Sequence, residues 1–265
     1  MTSQSDDAGV IVNDVTPPLS QTDVVVHGIK DMITSGKLGP GARLPVEKDL
    51  ATQLGVSRGS LREGVRALCI MGVLETRQGD GSYVTSLDAS LLLAPMAFLV
   101  DMQTPEGTLQ LQSVRRVLES EAASRAAGSM SDEQLAEAEA VLSGVEAIVL
   151  ADEPTDHLAV MEADIAFHRV IARGAGNPAL EALIEALASR TVRARLWRAI
   201  NEEGVERATH AEHRAILRAL TARDADGARL RMATHLLAVE DFLATQPKPG
   251  DEASGAQAGT ATEAQ

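Results

Sequence analysis

The sequence predicts a mostly α-helical chain in two parts. A small mixed unit with helices and one β-hairpin comes first, and an all-helical antiparallel bundle follows. Three observations predict this. Ala, Leu, Glu and Arg are abundant, while aromatic residues make up only 2% of the 265 residues, a balance that favours helices around an aliphatic core. Apolar residues recur at helical spacing almost throughout, and the period changes over a single stretch, "VLETRQGDGSYVTS" (73–86). Gly and Pro gather in few places, chiefly "GKLGPGARLP" (36–45), which forces a loop. Hydrophobic residues are 45% of the chain, enough for a real core, and the length allows two domains.

Taken in order, residues 1–19 are polar and acidic and run into "TPPLS", which reads as a disordered arm. A first folded unit is expected over 20–86. Its first helix covers 20–36, with Val24, Val25, Ile29 and Ile33 on one side. A short helix, "VEKDLATQLG", ends at Gly55, and the next runs from Val56 to Gly72 with Ser57 as its cap. Two short β-like runs flank "RQGDG", a hairpin signal. The all-helical domain is expected over 90–245, with helices near 90–102, 105–129, 131–151, 153–176, 177–200, 204–223 and 224–246. Ser131 with Gln134 forms a capping box, Asn177 precedes a Pro at a first helical position, and Asp224 starts the last helix. The tail, 246–265, is of low complexity and reads as disordered.

The charge balance narrows the function classes. Lys and Arg number 24 against 38 Asp and Glu, a formal net charge of -14, which alone argues against nucleic acid. Its distribution softens that argument: residues 20–86 hold eight Lys/Arg and seven Asp/Glu, and DNA meets a local patch rather than an average. The single cysteine, Cys69, excludes an internal disulfide and fits a reducing compartment. The most apolar run, "LLLAPMAFLV" (91–100), is too short for a membrane span, and the acidic N-terminus is wrong for a secretory signal. A cytoplasmic protein without a membrane partner is the expectation.

A helix, a tight turn and a second helix form a helix-turn-helix, whose second helix enters the major groove. Gly55 permits the turn, and Val56, Leu61, Val65 and Leu68 supply an inward face. Arg58, Arg62 and Arg66 are spaced four apart and share the other face. A guanidinium fork matches guanine O6 and N7 or a phosphate. Ser57 and Ser60 offer hydroxyls to phosphate near the positive helix N-terminus. The hairpin then forms a wing whose tip, from Gln78 and Gly79 to Gly81, lies along an adjacent minor groove. The alternative is a solvated arginine face paired with Glu63.

The stretch "PGARLPVEKDLATQLGVSRGSLREGVRALCIMGVLETRQGDGSYV" (40–84) resembles the winged helix of the GntR family of bacterial transcription regulators. The matching pieces are the "G-x-R-L-P-x-E" entry, "L-A", "V-S-R", "L-R-E" and "G-x-G-x-x-V" in the wing. The resemblance implies that Arg58 and Arg62 contact bases or phosphates, that Lys48 touches backbone, and that the wing tip reaches a groove. Lys48 stands where the family usually has Arg, Gly59 replaces a common Thr and Gly64 a common Ala. Gly64 is expected to lower helix stability by about 1 kcal/mol.

In the helical half, "ADIAFHRV" places Asp164 and His168 four apart, on one helix face where both can grip one ion. His213 and His235 lie in amphipathic stretches beside apolar residues. A buried neutral histidine needs a partner, and one cation satisfies three at once. Three His and one carboxylate suit Zn, Ni, Co, Mn or Fe more than Mg or Ca. The spacing equally describes a surface Asp–His pair and a core histidine. His157 and His210 read as exposed residues or as residues behind the ligands.

This half resembles the FCD ligand-binding domain of the FadR subfamily, through "VRRVLESEAASRAA" (114–127), "EADIAFHRVIARGAGNPAL" (162–180) and "EHRAILRALTARDADGARLRMATHL" (212–236). The resemblance implies a divalent metal held by Asp164, His168, His213 and His235. It also implies that Arg115 meets the carboxylate of a small organic acid effector; the alternative for Arg115 is a salt bridge to Glu119. The expected function is a ligand-responsive regulator, by family default a repressor, that binds a palindromic double-stranded DNA operator as a homodimer. The competing readings are a metal-dependent hydrolase, against which no general base stands beside the metal letters as in "HExxH", and a dimerisation module with a structural ion.

Overall fold

The computed structural model describes residues 19–102, 105–151, 156–202 and 204–245. The predicted tail lies outside the described residues, as does the predicted arm apart from Leu19. The chain divides into two compact units, residues 1–86 and 87–265. The architecture is mostly helical, with one hairpin in the first unit, as the periodicity predicts.

In the first unit, α1 (Gln21–Thr34) opens on a capping box between Ser20 and Asp23. The helices α2 (Glu47–Leu54) and α3 (Arg58–Ile70) are joined through Gly55, whose left-handed φ of 68° ends α2. Ser57 caps α3, its Oγ accepting from the Ser60 N–H at 3.0 Å. The strands β1 (Leu74–Arg77) and β2 (Gly81–Val84) pair antiparallel, with Leu74 opposite Val84 and Arg77 opposite Gly81. Gly79 takes the positive φ that so tight a turn requires. Val25, Ile29, Leu50, Leu61, Leu68, Leu74 and Val84 are buried between these elements.

Gly64 has a different meaning from the one expected. A Cβ there would lie 2.5 Å from Val25 Cγ1 and 2.7 Å from Val25 Cβ. The missing side chain is what lets α3 approach α1, so the loss of helix propensity is offset by close packing.

The second unit contains α4 (Ala89–Asp101), α5 (Pro105–Ser129), α6 (Asp132–Leu150), α7 (His157–Gly174), α8 (Pro178–Asn201), α9 (Val205–Thr221) and α10 (Ala225–Thr245). The expected Ser131–Gln134 capping box starts α6, and Asn177 accepts from the N–H groups of Ala179 and Leu180 ahead of Pro178 at the start of α8. Asp156 caps α7, and Asp224 accepts from the Gly227 N–H at 2.9 Å at the start of α10. The helix α5 packs along α10 and also meets α7, α8 and α9. Between them lies an aliphatic core that includes Ala123, Ala126, Leu142, Ile171, Ile216, Leu220, Met232 and Leu236, together with the ring of Phe167. The small alanines on α5 allow its neighbours to come close, so polar side chains elsewhere on the same helix are drawn inside with them.

Candidate functional site

In the first unit, α3 and the hairpin bound a concave face of about 930 Å3. Its lining includes Arg43, Arg62, Arg66, Arg77, Gln78 and Gly79. Lys48, Ser57 and Arg58 are exposed and Ser60 is half-buried. They stand outside that lining, Lys48 on α2 and the other three at the N-terminal end of α3. The wing is braced from within. Arg77 lies over the Tyr83 ring at 4.1 Å, Tyr83 donates its hydroxyl to Asp80 Oδ2 at 2.6 Å, and Arg43 donates to the Asp80 carbonyl.

Arg62 is held by α2. Its Nε donates to Glu47 Oε1 and Oε2 at 3.1 and 3.0 Å, and its Nη2 to Oε2 at 2.9 Å. The paired partner is thus Glu47, from the "G-x-R-L-P-x-E" entry. Glu63, the partner weighed from sequence, instead accepts from Thr22 Oγ1 at 3.3 Å. The Arg62 guanidinium holds the Glu47 carboxyl below its ordinary pKa. Arg62 remains 69% exposed, so the pair aims the guanidinium outward without removing it from solvent.

In the second unit, Asp164, His168, His213 and His235 converge from α7, α9 and α10. All four are buried, and one ligand atom from each lies within 4.8 Å of the others. Their Nε2 atoms face inward: His213 Nε2 is 3.3 Å from His235 Nε2 and 3.6 Å from Asp164 Oδ1, and His168 Nε2 is 3.9 Å from Asp164 Oδ1. The opposite ring nitrogens set this orientation. His168 Nδ1 bonds Glu119, and His235 Nδ1 bonds Glu212 Oε2 at 2.8 Å. A carboxylate behind a histidine fixes the tautomer and makes the other nitrogen a better ligand. Burial pushes the His235 pKa down to about 4 and, with the neighbouring His235 and His168, holds His213 well below its ordinary value. Both rings are therefore neutral at pH 7, as a metal ligand must be.

The donor set fits a divalent ion. His168 Nε2 is buried with no hydrogen-bond partner among the described residues, and a buried orphan nitrogen is costly unless something satisfies it. An ion held here supplies a Lewis-acidic centre for an anionic ligand.

Behind the cluster runs a stripe on α5. Arg115 Nε donates to Glu119, whose other oxygen meets His168. Burial alone would raise the Glu119 pKa, but the Arg115 charge and the contact with His168 outweigh it and hold the carboxyl well below the usual range. Arg115 is thus tied to Glu119, the pairing weighed against a ligand role, and through it to a histidine of the cluster. His157 is half-buried on Glu206, and His210 is buried, which removes the exposed alternative for His210. Sequence reasoning missed Arg195, which bonds Asp164 from α8, and Glu212 behind His235. Arg195 is one of several arginines on that helix, and nothing in their spacing marks it out.

A helix-turn-helix with a braced wing, followed by an all-helical unit with a buried polar chamber, is the architecture of a DNA-binding regulator. Residues 21–84 match the family of bacterial regulatory proteins called gntR, and residues 110–238 match the FCD domain. The chain is 31% identical over 217 residues to the HTH-type transcriptional regulator LutR of Bacillus subtilis, across 80% of this chain and 96% of that protein. It is 30% identical to a putative L-lactate dehydrogenase operon regulatory protein of Escherichia coli K12, across 89% of each chain. A solved Streptococcus agalactiae GntR structure covers 83% of this chain and 99% of its own, at 27% identity and a TM-score of 0.55. The chain belongs to the GntR family of transcription regulators and carries an FCD domain. Among the described residues, no helix is long and apolar enough to cross a membrane.

Proposed function

We propose that this regulator binds a palindromic operator as a homodimer, and that a small carboxylic acid bound beside a divalent ion in the helical unit controls that binding. The observation that carries the reading is the buried convergence of Asp164, His168, His213 and His235, with the His168 Nε2 left for an ion. The chemistry of the set favours zinc, or nickel, manganese, cobalt or iron. Arg115 contributes positive charge beside the ligand carboxylate. The relative whose name refers to an L-lactate dehydrogenase operon makes 2-hydroxy acids the first ligands to test.

On the DNA side, Arg58 and Arg62 read base edges or phosphates, Lys48 meets backbone, Ser57 and Ser60 meet phosphate at the start of α3, and Gln78 and Gly79 carry the wing into a groove. A dimer with two-fold symmetry calls for an operator of matching symmetry. Repression follows if the unliganded state is the one that fits the operator. The acid acts only to the extent that it binds the two states with different affinity.

The test is fluorescence anisotropy on labelled DNA from the gene's own promoter region, with zinc-loaded protein and with L-lactate, pyruvate or succinate added. A tenfold or larger change in DNA affinity supports the reading. Tight operator binding that no acid alters would leave the ion a purely structural role in a dimerisation module.

A further inference from the structure

The geometry points to Arg195, rather than to the metal-site residues alone, as the receptor for the effector's carboxylate, through the Nε–Nη2 edge of its guanidinium. This rests on the effector reading above and deepens it.

Arg195 comes from α8 and is 7% exposed. Its Nη1 donates to Asp164 Oδ2, which fixes the plane of the guanidinium against a residue of the cluster. The remaining edge has no partner among the described residues: Nε and Nη2 are both buried, and neither finds an acceptor there. These two N–H groups are parallel and lie on one side of the fork, the pattern that matches the two oxygens of a carboxylate. Leaving two charged donors buried and unpaired is costly, so the edge is built for an acceptor that the protein itself does not supply.

The surroundings agree with that acceptor. Arg195 lines a partly open cavity of about 50 Å3 together with Asp164, His235, Thr209, Val160 and Val239, with Arg198 and Glu206 also in its wall. A cavity of that volume has room for a carboxylate group at the guanidinium edge. Apart from the histidines, the buried charged residues among those described are Arg115, Arg195, Glu119 and Asp164. Two cations face two anions there, and a divalent ion would add two positive charges. An arriving carboxylate reduces the excess.

Acetate, the minimal carboxylate, tests the socket, with acetamide as its neutral counterpart at matched ionic strength. The readout is the thermal shift of the full-length zinc-loaded protein, with zinc content measured in parallel. Acetate is expected to raise the melting temperature where acetamide does not. Arg195→Lys keeps the charge and loses the fork, and Arg195→Gln loses both. Each is expected to raise the half-saturating acetate concentration at least tenfold while zinc content stays at the wild-type level. A wild-type acetate response retained by both variants would overturn the Arg195 assignment and leave the effector reading standing. If acetate acts on the wild-type protein no differently from acetamide, both fall. Loss of zinc together with the acetate response would make Arg195 a positioning residue for Asp164 and overturn the assignment.

Discussion

Removing the proposed ion from the helical unit is the most informative perturbation. Anything that binds only the folded state stabilises it by RT ln(1 + [L]/Kd), about 2.7 kcal/mol when free metal is about 100 times Kd. The melting temperature of a unit of this size moves by roughly 2–4 °C per kcal/mol. Chelation is therefore expected to lower the transition of the helical unit by about 5–11 °C, on the two scalings together. The structure gives reasons to expect a large rather than a small effect. His213 and His235 are already neutral at pH 7, so neither ring has a proton to lose on binding. Glu119 and Glu212 already hold two of the rings in the binding orientation. Without an ion, His168 Nε2 stays buried and unpaired. The assay is a zinc titration of metal-free protein followed by scanning fluorimetry, repeated on His213→Ala. The variant is expected to lose the zinc-dependent increment while still unfolding cooperatively. A wild-type melting temperature that ignores zinc and chelator would refute the reasoning, and so would an undiminished zinc shift in His213→Ala.

Arg62→Ala is expected to weaken operator binding by roughly 1–3 kcal/mol and relax sequence preference. Lys48→Ala is expected to weaken binding evenly across sequences and to reduce the salt slope by about one; anisotropy at several salt concentrations separates the two. Glu47→Gln frees Arg62 from its carboxylate and is expected to narrow the gap between operator and random-sequence affinity, measured on both DNAs. Gly64→Ala gains about 1 kcal/mol of helix propensity but forces a Cβ onto Val25, at about 1–3 kcal/mol for such overpacking. The net expectation is a winged-helix unit destabilised by up to about 2 kcal/mol in urea unfolding, and a stabilised variant would contradict the close approach of α1 and α3.

Local signals carried the fold a long way. Ser57, Ser131 and Asn177 cap the helices that their positions announce, because a cap acts within three residues of itself. The hairpin was legible in "RQGDG" for the same reason: the turn needs a positive φ at Gly79, and no distant partner supplies it. Asp164 and His168 were legible as a pair because one helical turn separates them.

What no local reading reaches is which side chain on one helix meets which on another. Gly64 looks like a defect until Val25 of α1 is brought against it. Arg62 looks like a neighbour of Glu63, but the fold hands it to Glu47 across the turn. The three imidazoles, from three helices, become one cluster only when α7, α9 and α10 pack together, and Arg195 joins them from a helix whose arginines are indistinguishable by period. Residue type and spacing along the chain were enough to decide which helices form and which faces they bury, since both depend on contacts a few residues apart. The chamber's charges, the free edge of Arg195 and the register that brings four ligand atoms together come from packing between helices far apart in the chain, and only the folded tertiary arrangement decides those.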